Sequence, residues 1–357
     1  MSARKIRVLV VEDSAVAREF LVGVFGADPR FEVVGTVRDG ADALEAVRRW
    51  RPDIVTMDIQ MPRMDGLEAT RQIMREQPLP IVLISGALED QVAATFSALE
   101  AGALAFVPRP AGVGTPGHAT DVAELLLTVQ LMSEVKVVQR RQARAAAASA
   151  RVAGASQPRL RVVAIGASTG GPLALLALLA ALPKDFAVPI LIVQHIAEGF
   201  LEGFVGWLQN ACGFAVRQAA HGELVRPGQA YVAPDACHLG VEYRAGNRGV
   251  QIVLSTAPPD NGVRPSVDHL LASVRRVYGA TAAGVLLTGM GKDGAVELRA
   301  LKECGAHTFV QDRESAVVYG MPGAALALDA ARHVLAPEEI AEALRNLARP
   351  ASPAEGR

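Results

Sequence analysis

Ser168 stands in Gly166-Ala167-Ser168-Thr169-Gly170, a hydroxyl flanked by glycines between the β-branched run Val162–Ile165 and a leucine-rich run that begins at Pro172. A strand-to-helix turn of the form G-x-S-x-G presents a serine at a sheet edge, as a nucleophile requires. Other uses of a glycine turn fit less well. A phosphate loop needs Gly-Lys-Ser/Thr, and no lysine follows this turn before Lys184. The segment GASTGG also lacks the G-x-G-x-x-G spacing of a dinucleotide site. A structural glycine turn stays open as the alternative. A serine attacks only when a base takes its proton, and an acid usually orients that base. His195 closes the apolar run ILIVQ, and Asp293 lies in TGMGKDGA after the run AGVLL. On one parallel sheet all three would share an edge, on strand-to-helix loops.

A second group suits a different chemistry. Glu12 and Asp13 follow the apolar run Ile6–Val11, and Asp58 follows Ile54–Met57. A doubly wound sheet would carry all three to its carboxyl edge, where such folds bind ligands. Three carboxylates there repel one another, and they make sense as a cage for a hard cation. Mg²⁺ takes oxygen ligands and leaves positions for water and phosphate. It would also shield Asp58 while that carboxylate attacks an incoming phosphoryl group. Ser85, after Ile81–Ile84, and Arg109, after Ala105–Val107, would put one hydroxyl and one cation where phosphoryl oxygens lie.

These residues need scaffolds. The chain has 357 residues, and at about 100–200 residues per domain that predicts two or three domains. Half of it is hydrophobic but only 4% is aromatic, so Val, Leu, Ile and Ala must fill the core, as in helix-covered parallel sheets. The expected fold class is α/β, with two doubly wound domains. Residues 1–138 read as a (βα)5 domain with strands at Ile6–Val11, Val33–Val37, Ile54–Met57, Ile81–Ile84 and Ala105–Val107. Thr120 or Asp121 would cap its last helix, which carries Val122, Leu125, Leu126, Val129 and Met132.

Residues 139–158 change abruptly to Arg, Ala and Ser and read as a linker, with Arg140, Arg141 and Arg144 on a solvated helix end. Residues 159–349 read as a second, Rossmann-like parallel sheet, with strands near Val162–Ile165, Ile190–Val193 and Val285–Thr288. Within it HLGVEYRAGNRGVQIVLS reads as an antiparallel hairpin. Residues 350–357 read as a disordered tail.

A formal charge of −1, from 36 basic and 37 acidic residues, gives no field that favours nucleic acid or an anionic membrane. The segment MSARKIRVLVVED reads as neither a signal nor a transit peptide, since carboxylates follow one short apolar run. The longest leucine-rich run, Pro172 to Pro183, falls short of the roughly 20 residues of a membrane span. The expectation is a cytoplasmic protein without membrane insertion. Cys212, Cys237 and Cys304 form no CxxC pair, so buried reduced thiols are expected rather than a disulfide or zinc site. His118, His221, His269, His307 and His333 lack partners at ligand spacing, and the adjacent Cys237 and His238 cannot easily share a metal.

The segments VVEDSAVAREF, TMDIQMPRMDG, ISG and FVPRP together resemble the receiver domain of two-component response regulators. The segments IGASTGGP, VQHI, YVAP, RPSVD and TGMGKDGA resemble the catalytic domain of the CheB family of chemotaxis-specific protein-glutamate methylesterases. The order Ser, His, Asp differs from that of α/β-hydrolases, whose acid precedes the histidine.

The resemblance implies that Asp58 is the phosphoacceptor, that Glu12 and Asp13 help it hold Mg²⁺, and that Ser85 and Phe106 form the switch. Arg109 departs from the family's Lys, and a planar fork replaces a compact ammonium there. Ser168 would attack methyl-esterified glutamates of chemoreceptors and release methanol, with His195 as base and Asp293 as its orienting acid. Glutamine deamidation would follow the same course. Thr169 would hydrogen-bond His195, and the Met290 backbone N–H would donate to the oxyanion. No metal is implied in the second domain.

The implied phosphodonor is a chemotaxis histidine kinase, and the receiver would obstruct the esterase cleft until Asp58 is phosphorylated. Alternatives are the same chemistry in a non-chemotactic receptor pathway, or a non-catalytic phosphate sink or scaffold. A DNA-binding regulator is disfavoured by the neutral charge balance and the lack of a helix-turn-helix signal.

Overall fold

In a computed structural model, the described residues are 4–85, 101–112, 114–115, 117–135, 159–196, 199–246 and 249–348. The chain divides into two units, Met1–Ala150 and Arg151–Arg357. The expected linker 139–158, its arginines Arg140, Arg141 and Arg144, and the tail 350–357 lie outside the described residues.

In the first unit the apolar runs become β1 (Ile6–Val11), β2 (Phe31–Val37), β3 (Ile54–Met57), β4 (Ile81–Ser85) and β5 (Ala105–Pro108), all paired parallel in the order β2-β1-β3-β4-β5. Every residue of β3 is buried, as a strand covered on both faces demands. Helices start where short polar side chains satisfy free N–H groups. Ser14 accepts from Ala17 N, Asp39 from Ala41 and Asp42 N, and Asp65 from Glu68 N. Each such cap stabilises its helix by about 1 kcal/mol.

The expected cap at Thr120 or Asp121 is a correction. The helix begins earlier, at His118, behind Gly117 in the left-handed region (φ 92°) and with no side-chain cap. Asp121 lies in its first turn, where its carboxylate accepts from Ala111 N at 3.3 Å and ties the preceding loop instead.

The second unit carries β6 (Val162–Ala167), β7 (Ile190–Gln194), β8 (Val216–Gln218), β9 (Ala230–Val232), β10 (His238–Tyr243), β11 (Val250–Ser255), β12 (Ala282–Leu286), β13 (His307–Gln311) and β14 (His333–Leu335). Seven of them form a parallel sheet in the order β14-β13-β12-β6-β7-β9-β8, and β10 and β11 form the expected antiparallel hairpin. The β12 strand ends earlier than the expected Val285–Thr288. Thr288 leaves the ladder because its N–H bonds the Gln311 side-chain oxygen at 2.7 Å. Successive strands run from β6 outward on one side through β7, while β12 returns to the other side. That reversal opens a crevice at the carboxyl end of β6.

The three cysteines are free, but none is fully buried: Cys212 and Cys237 are half-buried and Cys304 is exposed. The expectation of buried thiols is corrected accordingly. Among the described residues, no helix is long and apolar enough to cross a membrane.

Candidate active site

Ser168 follows β6 and His195 follows β7, while Asp293 lies in the loop between β12 and helix Ala295–Glu303. The three loops leave adjacent strands at one edge, on both sides of the reversal. The turn after Ser168 closes with Gly171 N donating to Ser168 O at 2.7 Å, and it passes through Gly170 at φ 77°, a backbone state natural to glycine. Helix Gly171–Ala181 starts there, with a proline in its first turn where a missing N–H costs nothing.

Thr288 ties the turn at Ser168 to the segment that follows β12. Its carbonyl accepts from Ser168 N at 3.1 Å, and its hydroxyl donates to Thr169 O at 2.9 Å. The backbone N–H of Ser168 is therefore committed. Thr169 is held through its carbonyl, and among the described residues its side chain makes no hydrogen bond to His195, contrary to expectation.

Asp293 is buried and takes four hydrogen bonds. Its Oδ1 accepts from Ser266 Oγ at 2.9 Å and Asp268 N at 3.1 Å, and its Oδ2 accepts from Val267 N at 2.6 Å and His195 Nε2 at 3.0 Å. Ser266 caps helix Val267–Tyr278, so the carboxylate sits on the positive end of that helix. Burial pushes the Asp293 carboxyl up, but the bonds from His195, Val267 and Asp268 outweigh it and hold the group below the usual carboxylate range. An ionised carboxylate only accepts, so the His195 proton is on Nε2 and the lone pair is on Nδ1. The imidazole thus keeps one basic nitrogen free of Asp293.

On the Met290 loop, Gly289 N donates to Val318 O at 3.0 Å and Gly289 O accepts from Met321 N at 2.9 Å. Among the described residues the Met290 N–H has no acceptor. It is a donor held ready on the same sheet edge as Ser168.

In the first unit Glu12, Asp13 and Asp58 each bring a carboxylate oxygen within 4.8 Å of the others. Glu12 and Asp58 are buried, whereas Asp13 is exposed. Burial, reinforced by the charge on Asp58, pushes the Glu12 carboxyl up to about 7. Burial also raises Asp58. Arg109 answers part of this charge, with Nη2 at 2.7 Å from Glu12 and 3.6 Å from Asp58. A single guanidinium against three carboxylates leaves an excess of hard oxygen donors, which fits Mg²⁺. Phe106 lies in β5 opposite Leu83 and packs against the core. Ser85 ends β4, and its side chain lies outside the described residues.

A further cluster joins residues that sequence spacing kept apart, since His238, Asp260 and His269 also lie within ligand distance. His238 is not free to bind a metal. Its Nδ1 accepts from Ser266 N at 3.2 Å and its Nε2 donates to Pro258 O at 3.1 Å. His238 thus supports Ser266, a residue that sequence reasoning missed as a functional one. Its signature was legible, however: a serine after proline, with Asp268 two residues on, heads an amphipathic helix.

Residues 163–344 match the model of the CheB methylesterase family, and residues 8–115 match that of the response regulator receiver domain. A protein of Geobacter metallireducens named protein-glutamate methylesterase/protein-glutamine glutaminase 4 is 52% identical over 347 residues, covering 96% of this chain and 99% of its own. The chain belongs to the CheB family. A Nitrosospira multiformis protein named protein-glutamate methylesterase/protein-glutamine glutaminase is 53% identical over 349 residues, covering 96% of this chain and 97% of its own. The crystal structure of the Thermotoga maritima CheB methylesterase catalytic domain is 37% identical, spans 53% of this chain and 100% of its own, and superposes with a TM-score of 0.51. As a CheB protein, the chain is a protein-glutamate methylesterase and protein-glutamine glutaminase carrying a receiver domain.

Proposed function

We propose that Ser168 is the nucleophile, His195 the base and Asp293 the orienting acid of this methylesterase, and that Asp58 is the phosphoacceptor that controls it. The observation that carries this reading is the fully bonded Asp293 carboxylate, which accepts a hydrogen bond from Nε2 of His195 on the loop beside Ser168. The substrate is a glutamate γ-methyl ester on a chemoreceptor. Ser168 Oγ bonds to the ester carbon as its proton passes to His195 Nδ1, and Asp293 stabilises the imidazolium that results. The Met290 N–H donates to the oxyanion, a role Ser168 N cannot take while it bonds Thr288 O.

As the carbon–oxygen bond to the methoxy group breaks, Nδ1 returns its proton and methanol leaves. Water then loses a proton to Nδ1 and attacks the acyl carbon. Ser168 Oγ departs with that proton, and glutamate is restored. A glutamine side chain follows the same path with ammonia as the leaving group. Thr169 supports the turn through its carbonyl.

In the receiver, Glu12, Asp13 and Asp58 would hold Mg²⁺, which when bound neutralises charge on the phosphoryl oxygens. Asp58 attacks the phosphorus of a phosphohistidine on a chemotaxis kinase as the P–N bond breaks and the kinase imidazole leaves, and Ser85, Phe106 and Arg109 read the change. The working limits are receiver 1–138, linker 139–158, esterase 159–349 and tail 350–357. The place of action is the cytoplasm, against the receptors' cytoplasmic region, without nucleic acid and without insertion into the membrane.

Methanol release from methyl-esterified receptor membranes tests the reading. The wild-type chain should release methanol and do so faster with Mg²⁺ and a small phosphodonor, Asp58→Asn should lose only that acceleration, and Ser168→Ala should release none. Release by Ser168→Ala at the wild-type rate would overturn it.

A further inference from the structure

Gln194 is the last residue of β7 and is buried, at 3% exposure. Its Nε2 donates to Ser168 O at 2.9 Å and to His195 O at 2.8 Å. Both acceptors are carbonyls, so only the amide nitrogen, with its two hydrogens, satisfies them together. Its other polar atom, Oε1, is buried and has no hydrogen-bond partner among the described residues. A buried acceptor left unmade costs free energy, and an apolar side chain of the same shape would avoid that cost. A polar group buried with its acceptor unmade and both donors spent on the carbonyls of Ser168 and His195 points to a task beyond filling the core.

We infer that Gln194 is a positioning residue for ester hydrolysis: one side chain clamps the backbone of the nucleophile to the backbone of the base and so sets the separation of Ser168 and His195. The inference rests on the reading of Ser168 and His195 as nucleophile and base. Both ends of the clamp are well placed. Ser168 O also accepts from Gly171 N at 2.7 Å, which fixes the nucleophile's turn, and His195 N donates to Ala167 O at 2.9 Å just where the chain leaves the sheet. The clamp spans the gap between β6 and β7 beyond the last backbone ladder bond.

Gly171 gives independent support. A Cβ there would stand 2.1 Å from Gln194 Oε1 and 3.0 Å from its Cδ, so the amide keeps its seat only beside glycine. Gly171→Ala should therefore displace the clamp while keeping the side chains of Ser168, His195 and Asp293, although its Cβ would also press on Ala167 Cβ at 2.9 Å.

The test uses the full chain and the methanol-release assay, with kcat and KM separated and folding checked by circular dichroism and melting. Gln194→Met keeps the volume and removes both donors. It should lower kcat by about 10- to 100-fold, the scale of loss when reacting groups shift by an ångström, and leave KM within about twofold, since no substrate contact is removed. Gly171→Ala should act in the same direction, and the double variant should be no slower than the slower single one, because both break the same tie.

A folded Gln194→Met with wild-type kcat would overturn the inference, as would a loss seen only in KM. If Gln194→Met fails to fold, a folded Gly171→Ala with wild-type kcat overturns it instead. Ser168→Ala in the same assay separates the two readings. If that variant is dead while both clamp variants are unimpaired, the clamp fails and the nucleophile stands; if it is active, the nucleophile itself is wrong.

Discussion

Glu12 in the receiver and Asp293 in the esterase are both buried carboxylates at the carboxyl edge of a parallel sheet, close to the point where strand order reverses. They titrate in opposite directions: burial pushes Glu12 up to about 7, while Asp293 is held below the usual carboxylate range. The penalty of burial is common to both, so the difference lies in what faces the charge. Asp293 meets two backbone N–H groups at a helix start, a serine hydroxyl and a histidine N–H. Glu12 has Ser14 N at 3.2 Å and Arg109, and against these stand the charges of Asp58 and Asp13.

One site is thus complete in its own donors, as a preorganised acid–base apparatus must be. The other is short of positive charge, which suits it to a hard cation.

The sharpest way to break this comparison is to spoil the complete site. Asp293→Asn replaces one carboxylate oxygen by an NH2 group: at the Oδ2 place it opposes Val267 N and removes the acceptor that fixes His195, and at the Oδ1 place it opposes Asp268 N. Methanol-release kcat should fall about 10³- to 10⁴-fold, with the protein still folded. A loss below tenfold would mean that the cradle is structural only.

A smaller effect sharpens the comparison from the receiver side. Mg²⁺ needs the ionised form of Glu12, and in the metal-free pocket that group titrates at about 7. Protonation competes with the ion below that pH, so the Mg²⁺ Kd should rise about tenfold between pH 8 and pH 6. Isothermal titration of the full chain with Mg²⁺ reads this directly, and Glu12→Gln should flatten the dependence while weakening binding. The lowered Asp293 carboxyl stays ionised throughout this window, so the esterase acid should contribute no step there. A Kd unchanged across the window would remove the contrast.

Much of this was legible in the sequence, for reasons particular residues make plain. Strands β1 and β3 were readable to the residue because each is a short, mainly apolar run that ends at a carboxylate, Glu12 after β1 and Asp58 after β3. Three-residue strands such as β8, β9 and β14 carry too little pattern to be seen. Ser168, His195 and Asp293 were readable as candidates because Ser168 and His195 stand just after apolar strand runs and Asp293 lies in a glycine-rich turn after another. The cradle around Asp293 was not, because Val267 and Asp268 contribute backbone N–H groups that any residue would supply. The bond that does hold Thr169 was equally invisible, because Thr288 reaches its backbone carbonyl, which any residue would supply. Gln194 carried no signal beyond standing next to His195, since the two carbonyls it clamps exist only in the fold.

The central claim is that an ionised Asp293 holds His195 by Nε2 and leaves Nδ1 as the base toward Ser168. Nitrogen NMR of the full chain with ¹⁵N-labelled histidine, assigned by a His195→Gln variant and followed with pH, reads the tautomer directly. The account predicts that neutral His195 carries its proton on Nε2 and shows a bare, pyridine-like Nδ1, and that Asp293→Asn disturbs this pattern. A neutral ring protonated on Nδ1 in the wild-type chain would contradict it.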